Sequence, residues 1–318
     1  MPEIVIPTLP QSRDTAWLFP GQGAQFVGMG RDLYESAPAA RAVFDAADEA
    51  LGFSLSQLCF EGPENELTRT VNTQPAVVVH GIAALVAAIE AGTVTERATF
   101  VAGHSLGEYA ALIAAESLPF ADGLRLVRER GRLMQEACDA YPGTMAVVLG
   151  LQREQVAALC ETHGASLCNE NAPGNISIGG TAAAVEATGE AAKAAGAVRV
   201  LPLNVAGAFH TPMMETAAAG MRGVLAAALF ADPLIPVVSN VHGRVMSRGA
   251  EFASELTDQV TSPVLWVDNV RTMLAAGVTT FIEFGPGKIL TGALKRTEPS
   301  AVLRNVGTAA ETRGEGSE

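Results

Sequence analysis

Residues 98–114, ATFVAGHSLGEYAALIA, permit few folds. The run ATFVAG is apolar without alternation, as in a strand buried on both faces, and an Ala-rich helical segment follows within a few residues. Between them GHSLG sets Ser105 between Gly103 and Gly107, so the chain turns from strand to helix where flanking side chains would collide. A strand covered on both faces needs helices above and below it, which implies an α/β architecture around a parallel sheet.

The flanking segments repeat this grammar. TAWLFPGQGAQFVGMG (15–30) reads as a strand running into a Pro/Gly loop; ESAPAARAVFDAADEALG (35–52) and NTQPAVVVHGIAALVAAIEAG (72–92) read as helices, each stopped by Gly. From residue 144 the rhythm changes. TMAVVLG, QREQVAALCETHG, SLCNENA, NISIGG, AAAVEATGEAAKAAG and VRVLPLN read in order as strand, helix, strand, strand, helix and strand. That βαββαβ order predicts a small ferredoxin-like domain at 143–204, inserted into a large α/β-hydrolase-like domain that occupies 15–142 and resumes over 205–306. The Pro-interrupted residues 1–14 read as a loose, removable arm, and 307–318 as a flexible tail.

Composition narrows the function. A net charge of −13 disfavours nucleic acid and anionic membranes as partners. PAVVVHGIAALVAAI falls short of the ~20 apolar residues of a membrane span and reads as a buried helix. Cys59, Cys138, Cys160 and Cys168 stand singly, without metal-site spacing, in a chain that lacks a basic, apolar leader, so the expectation is reduced thiols, a cytoplasmic location and no metal.

In a strand-turn-helix setting, GxSxG exposes a serine hydroxyl above the sheet and aims the next N–H groups at a developing oxyanion. The motif permits a nucleophile at Ser105; a small residue in a tight turn is the other reading. A serine needs a base, and the chain has five histidines. His104 adjoins Ser105 and is expected to point away from it. His80 sits in an apolar helix, while His163 and His242 fall at a helix end and a turn; His210, in VAGAFHTPMM, is the leading candidate, with the others still open. FPGQGAQ lacks the endings of a phosphate loop, so it is either an oxyanion contributor or a plain turn.

Eight blocks together resemble the malonyl-CoA:acyl carrier protein transacylase family: FPGQGAQ (19–25), TQPAVVV (73–79), GHSLGEYAAL (103–112), RERGRLMQEA (128–137), NENAPGNISIGG (169–180), VAGAFHTPMM (205–214), PVVSN (236–240) and FGPGKILTGALKR (284–296). They run in family order from about Trp17 to Arg304. The resemblance implies acyl transfer through a malonyl ester of Ser105, with His210 as base and then acid, oriented by the backbone carbonyl of Gln259. It implies an oxyanion hole from the N–H groups of Gln22 and Leu106, a malonate-binding guanidinium at Arg130, a malonyl-selective ring at Phe209 and a cleft contact at Asn171. The implied partners are malonyl-CoA and an acyl carrier protein. No cofactor is implied, since coenzyme A arrives as substrate. Carrier proteins are acidic, so Lys288, Lys295 and Arg296 are candidate docking cations. Arg128 and Arg132, two positions either side of Arg130, are expected to face elsewhere. Glu170, a carboxylate near the presumed cleft, is expected to point outward. A different acyl cargo or donor, a serine acyl-thioester hydrolase, and a carrier-docking module without catalysis are the alternatives.

Overall fold

Among the residues described by the computed structural model, 4–315, ten strands form two sheets. In chain order they are β1 (Thr15–Phe19), β2 (Phe100–Gly103), β3 (Thr144–Leu149), β4 (Ser166–Ala172), β5 (Asn175–Gly180), β6 (Arg199–Pro202), β7 (Val237–Val238), β8 (Val245–Met246), β9 (Thr280–Phe284) and β10 (Val302–Val306). The larger sheet has the order β10-β9-β1-β2-β7-β8. Its pairs are parallel except at the edge, where β8 runs antiparallel to β7, so the sheet is mixed rather than wholly parallel as expected.

The fully buried β1 explains why helices flank both faces. Trp17 and Phe19 enter one apolar core, shared with the helices Pro38–Leu51 and Thr70–Glu90; Ala16 and Leu18 enter a second, shared with Trp266–Ala275 and Ile289–Thr297. Thr70–Glu90 has 21 residues and by length and composition could cross a bilayer, so the expectation that this stretch is too short is corrected. It is nonetheless a core helix, 89% buried along its most apolar window. The helix read within 35–52, with its start at Ser36 and Pro38 and its stop at Gly52, is Pro38–Leu51; a short helix, Arg31–Ser36, precedes it, and Ala37 is extended between the two because the ring of Pro38 disfavours a helical residue before it.

The described parts of the termini are packed rather than loose. Ile6 is buried in the first core, Gln11 bridges Arg97, and Ala309–Thr312 forms a short helix whose first N–H donates to Asp32 at 2.6 Å. Residues 1–3 and 316–318 of the expected arm and tail lie outside the described residues.

Between 144 and 202 the elements follow the order read from the sequence, and their sheet is antiparallel with order β4-β5-β3-β6. It is stitched to the rest of the chain through β4: Glu170 N–H donates to Val264 O and Val264 N–H to Cys168 O, each at 2.9 Å.

Candidate active site

β2 ends at Gly103 and the helix Gly107–Ala114 begins four residues later. A Cβ on Gly103 would lie 1.9 Å from the Gly107 carbonyl carbon, and one on Gly107 would lie 2.3 Å from Phe19 O; only glycine permits so close a return. Ser105 occupies the left-handed region at φ 54°, which is uncommon for a non-glycine residue and strained. The strain is braced by Asn240 at the end of β7: its Oδ1 accepts from Ser105 N–H and its Nδ2 donates to Gly103 O, both at 2.7 Å.

Ser105 Oγ donates to His210 Nε2 at 2.8 Å, and His210 Nδ1–H donates to Gln259 O at 2.8 Å, which fixes the tautomer with its lone pair toward the serine. His210 is also strained, at φ 60°. Burial, reinforced by the charge of Arg130, pulls its pKa down to about 3, so the ring is neutral and able to accept a proton. Arg130, buried on the helix Phe120–Ala140, donates from Nη2 to Ser105 Oγ at 3.0 Å and to Gln259 Oε1 at 2.8 Å, and from Nη1 to Gln74 Oε1 at 2.8 Å. Among the described residues no carboxylate pairs with it, and its Nε has no hydrogen-bond partner.

These groups open into a cleft of about 490 Å³ between the two sheets, a size suited to a small ligand or a flexible arm. Gln22 and Leu106 line it, and among the described residues neither backbone N–H has an acceptor. Phe209 and Asn171 line it too, as does Arg296. Lys288 and Lys295 do not; Lys288 is 3.6 Å from Glu311 and Lys295 is exposed.

A strained serine, a neutral histidine locked by a carbonyl and a buried arginine meet at one oxygen, and the comparisons agree with that chemistry. Residues 16–312 match the family model described as acyl transferase domain. The chain belongs to that family. It is similar to the malonyl CoA-acyl carrier protein transacylases of Bacillus subtilis (46% identical, covering 88% of this chain and 89% of the relative) and Escherichia coli K12 (41%, covering 88% and 92%). Among solved structures, an acyl carrier protein S-malonyltransferase from Vibrio cholerae superposes with TM-score 0.91 at 38% identity, covering 95% of this chain and 99% of that one. A malonyl-transacylase solved with its type II PKS acyl-carrier protein superposes with TM-score 0.89 at 38% identity, covering 94% and 97%.

Some parts of the acyl transferase site differ from the sequence expectations. His104 directs its Nε2 to Asn171 Oδ1 at 2.9 Å rather than to Ser105, and it also lines the cleft, joining the serine turn to β4. Glu170 faces neither cleft nor solvent: it is buried against Arg153 at 3.0 Å, which also holds Asp268 at 2.6 Å. Arg132 is exposed among Glu129 and Glu136 as expected, whereas Arg128 packs over Phe53 with its guanidinium 4.3 Å from the ring centroid. Asn240, Gln74, Glu108 and the side chain of Gln259 hold the site together but were not singled out from the sequence. An amide 135 residues from Ser105 gives no local signal, although both TQPAVVV and PVVSN lie in segments already picked out.

Proposed function

We propose that this acyl transferase moves a malonyl group from coenzyme A to the phosphopantetheine thiol of an acyl carrier protein, for fatty-acid or polyketide synthesis. The observation that carries the reading is Arg130: a buried guanidinium 3.0 Å from the nucleophile, without a carboxylate partner among the described residues, suits an acyl group bearing its own carboxylate. Relatives named malonyl CoA-acyl carrier protein transacylase, and the neighbour solved with its carrier protein, support the donor and acceptor.

His210 Nε2 takes the Ser105 proton while Oγ adds to the thioester carbonyl, and the oxyanion is held by the N–H groups of Leu106 and Gln22. Collapse expels the coenzyme A sulfur, which leaves with the proton from His210. The carrier thiol then gives its proton to His210, attacks the ester, and Ser105 leaves by recovering that proton. Gln259 O keeps the imidazole in register throughout, Arg130 grips the malonate, and Phe209 and Asn171 shape the acyl pocket. The protein itself needs no cofactor for these steps. Arg296 at the cleft, with Lys288 and Lys295 on the same segment, would meet the acidic carrier.

The same reading takes 15–142 and 205–306 as an α/β-hydrolase-like domain and 143–204 as a ferredoxin-like insert, supported by the serine elbow and the β4-β5-β3-β6 order. A cytoplasmic location is supported by four free, buried cysteines. Incubation with malonyl-CoA followed by intact-mass analysis should show one malonyl ester on Ser105 that passes to added holo carrier protein. Prompt release of free malonate without transfer would replace the transferase reading by a hydrolase.

A further inference from the structure

Glu108 is buried and takes no part in the steps above. It lies in the first turn of the helix that follows Ser105, and both of its oxygens accept hydrogen bonds: Oε2 from Gln259 Nε2, Oε1 from Asn240 N–H at 3.4 Å. Gln259 Nε2 also donates to Ser105 O at 3.0 Å. Both N–H groups of this amide are therefore spent on acceptors, and Oε1 is left facing Arg130 Nη2 at 2.8 Å. A primary amide has nearly the same shape when turned over. Turned over here, its NH2 would oppose the Arg130 donors and its oxygen would oppose both Ser105 O and Glu108. Ser105 O is one acceptor; a second, negatively polarised one makes the choice of sense strongly biased.

We infer that Glu108 is a positioning residue for acyl selectivity: it sets the sense of the Gln259 amide, and that amide in turn aims Arg130 at the carboxylate of the acyl group. The role rests on the malonyl reading of Arg130 proposed above. Burial, with Glu255 beside it, holds the Glu108 pKa well above the usual carboxylate range against the pull of Gln259, Asn240 and Arg130, so the role rests on the geometry of its acceptor oxygens and not on a full charge.

The test is a double-mutant cycle with two donors, malonyl-CoA and acetyl-CoA, reading the rate of Ser105 acylation. Glu108→Gln keeps the shape but presents an amide to an amide. It should lower kcat/KM for malonyl roughly tenfold, mostly through KM, the size of one lost charge-assisted hydrogen bond. Acetyl loading should change less than about twofold, and in an Arg130→Ala background the Glu108→Gln effect on malonyl should likewise shrink below about twofold. Glu108→Asp retains the carboxyl group but withdraws it by one methylene, and should lose malonyl preference in the same way; it also serves if the Gln variant does not fold. Equal losses with both donors, or an undiminished loss in the Arg130→Ala background, would overturn the inference while leaving the transferase intact. Failure of the unmodified protein to form a malonyl ester would instead remove the reading on which it rests.

Discussion

Arg130→Ala separates recognition of the acyl group from the chemistry at Ser105. Three of the guanidinium N–H bonds are already committed, to Gln74, Ser105 and Gln259, which leaves Nε–H and one Nη1–H for an incoming carboxylate. Two charge-assisted hydrogen bonds to a buried guanidinium contribute about 1.5 kcal/mol each at the lower end, so their loss should raise the malonyl barrier by about 3 kcal/mol, roughly a hundredfold in kcat/KM. Acetyl-CoA offers no carboxylate and should load Ser105 within a few-fold of the unmodified rate, since the His210 dyad and both oxyanion donors remain. Removing the charge also relieves a cause of the low His210 pKa, which should rise from about 3. The assay is rapid quench followed by intact mass, with each donor alone and in competition. An unchanged malonyl-to-acetyl ratio would refute the placement of Arg130 against the acyl carboxylate.

On the proposed mechanism the neutral form of His210 is the base, and with Arg130 in place its depressed pKa preserves that form on acidification. The acid limb of kcat/KM for loading should therefore lie well below 6.5; a limb near 6.5 would mean that His210 is not the base. Buried His80, pulled down to about 4 by burial, takes up its proton only on unfolding, so stability is lost as pH falls below 6.5. His80→Leu should accordingly stabilise by about 2 kcal/mol more at pH 5 than at pH 7.5 in urea melts, and a gain independent of pH would show that His80 is not held neutral. Gly103→Ala drives a Cβ into the Gly107 carbonyl and should abolish Ser105 loading or soluble expression, whereas normal loading would refute the tight elbow. Ile6→Ala should cost about 2–5 kcal/mol by chemical denaturation; a value near zero would restore the loose arm.

The parts of this protein that announce themselves in sequence are those whose chemistry is local. Gly103 and Gly107 bracket Ser105 within five residues, and apolar runs such as TAWLF advertise strands buried on both sides. Pro38 and Gly52 mark the two ends of the helix Pro38–Leu51 in the same local way. The three prolines of the terminal arm suggest a loose segment, while its described part docks through Ile6, with Ile4 and Leu9 beside it and Gln11 bridging Arg97. Within the site, the motif offers Ser105 and the survey of histidines makes His210 the leading candidate, while their pairing as nucleophile and base is implied by the family resemblance. The Asn240 brace and the Gln74 and Gln259 amides are not legible, because each acts from far along the chain and amides carry no distinctive spacing.

The backbone bonds that tie Val264 to Cys168 and Glu170 bear on turnover. They tie β4, whose Asn169 and Asn171 line the cleft, to the chain just before Trp266 on its other side, and on the proposed mechanism the donor arm and the acceptor arm use that cleft in succession. The ester on Ser105 is then the memory of the molecule: it retains the cargo during the interval in which one thiol has withdrawn and the next has not arrived. Such a scheme passes its load through a pause, and water, small enough to enter at any time, is the competitor that the cleft has to resist.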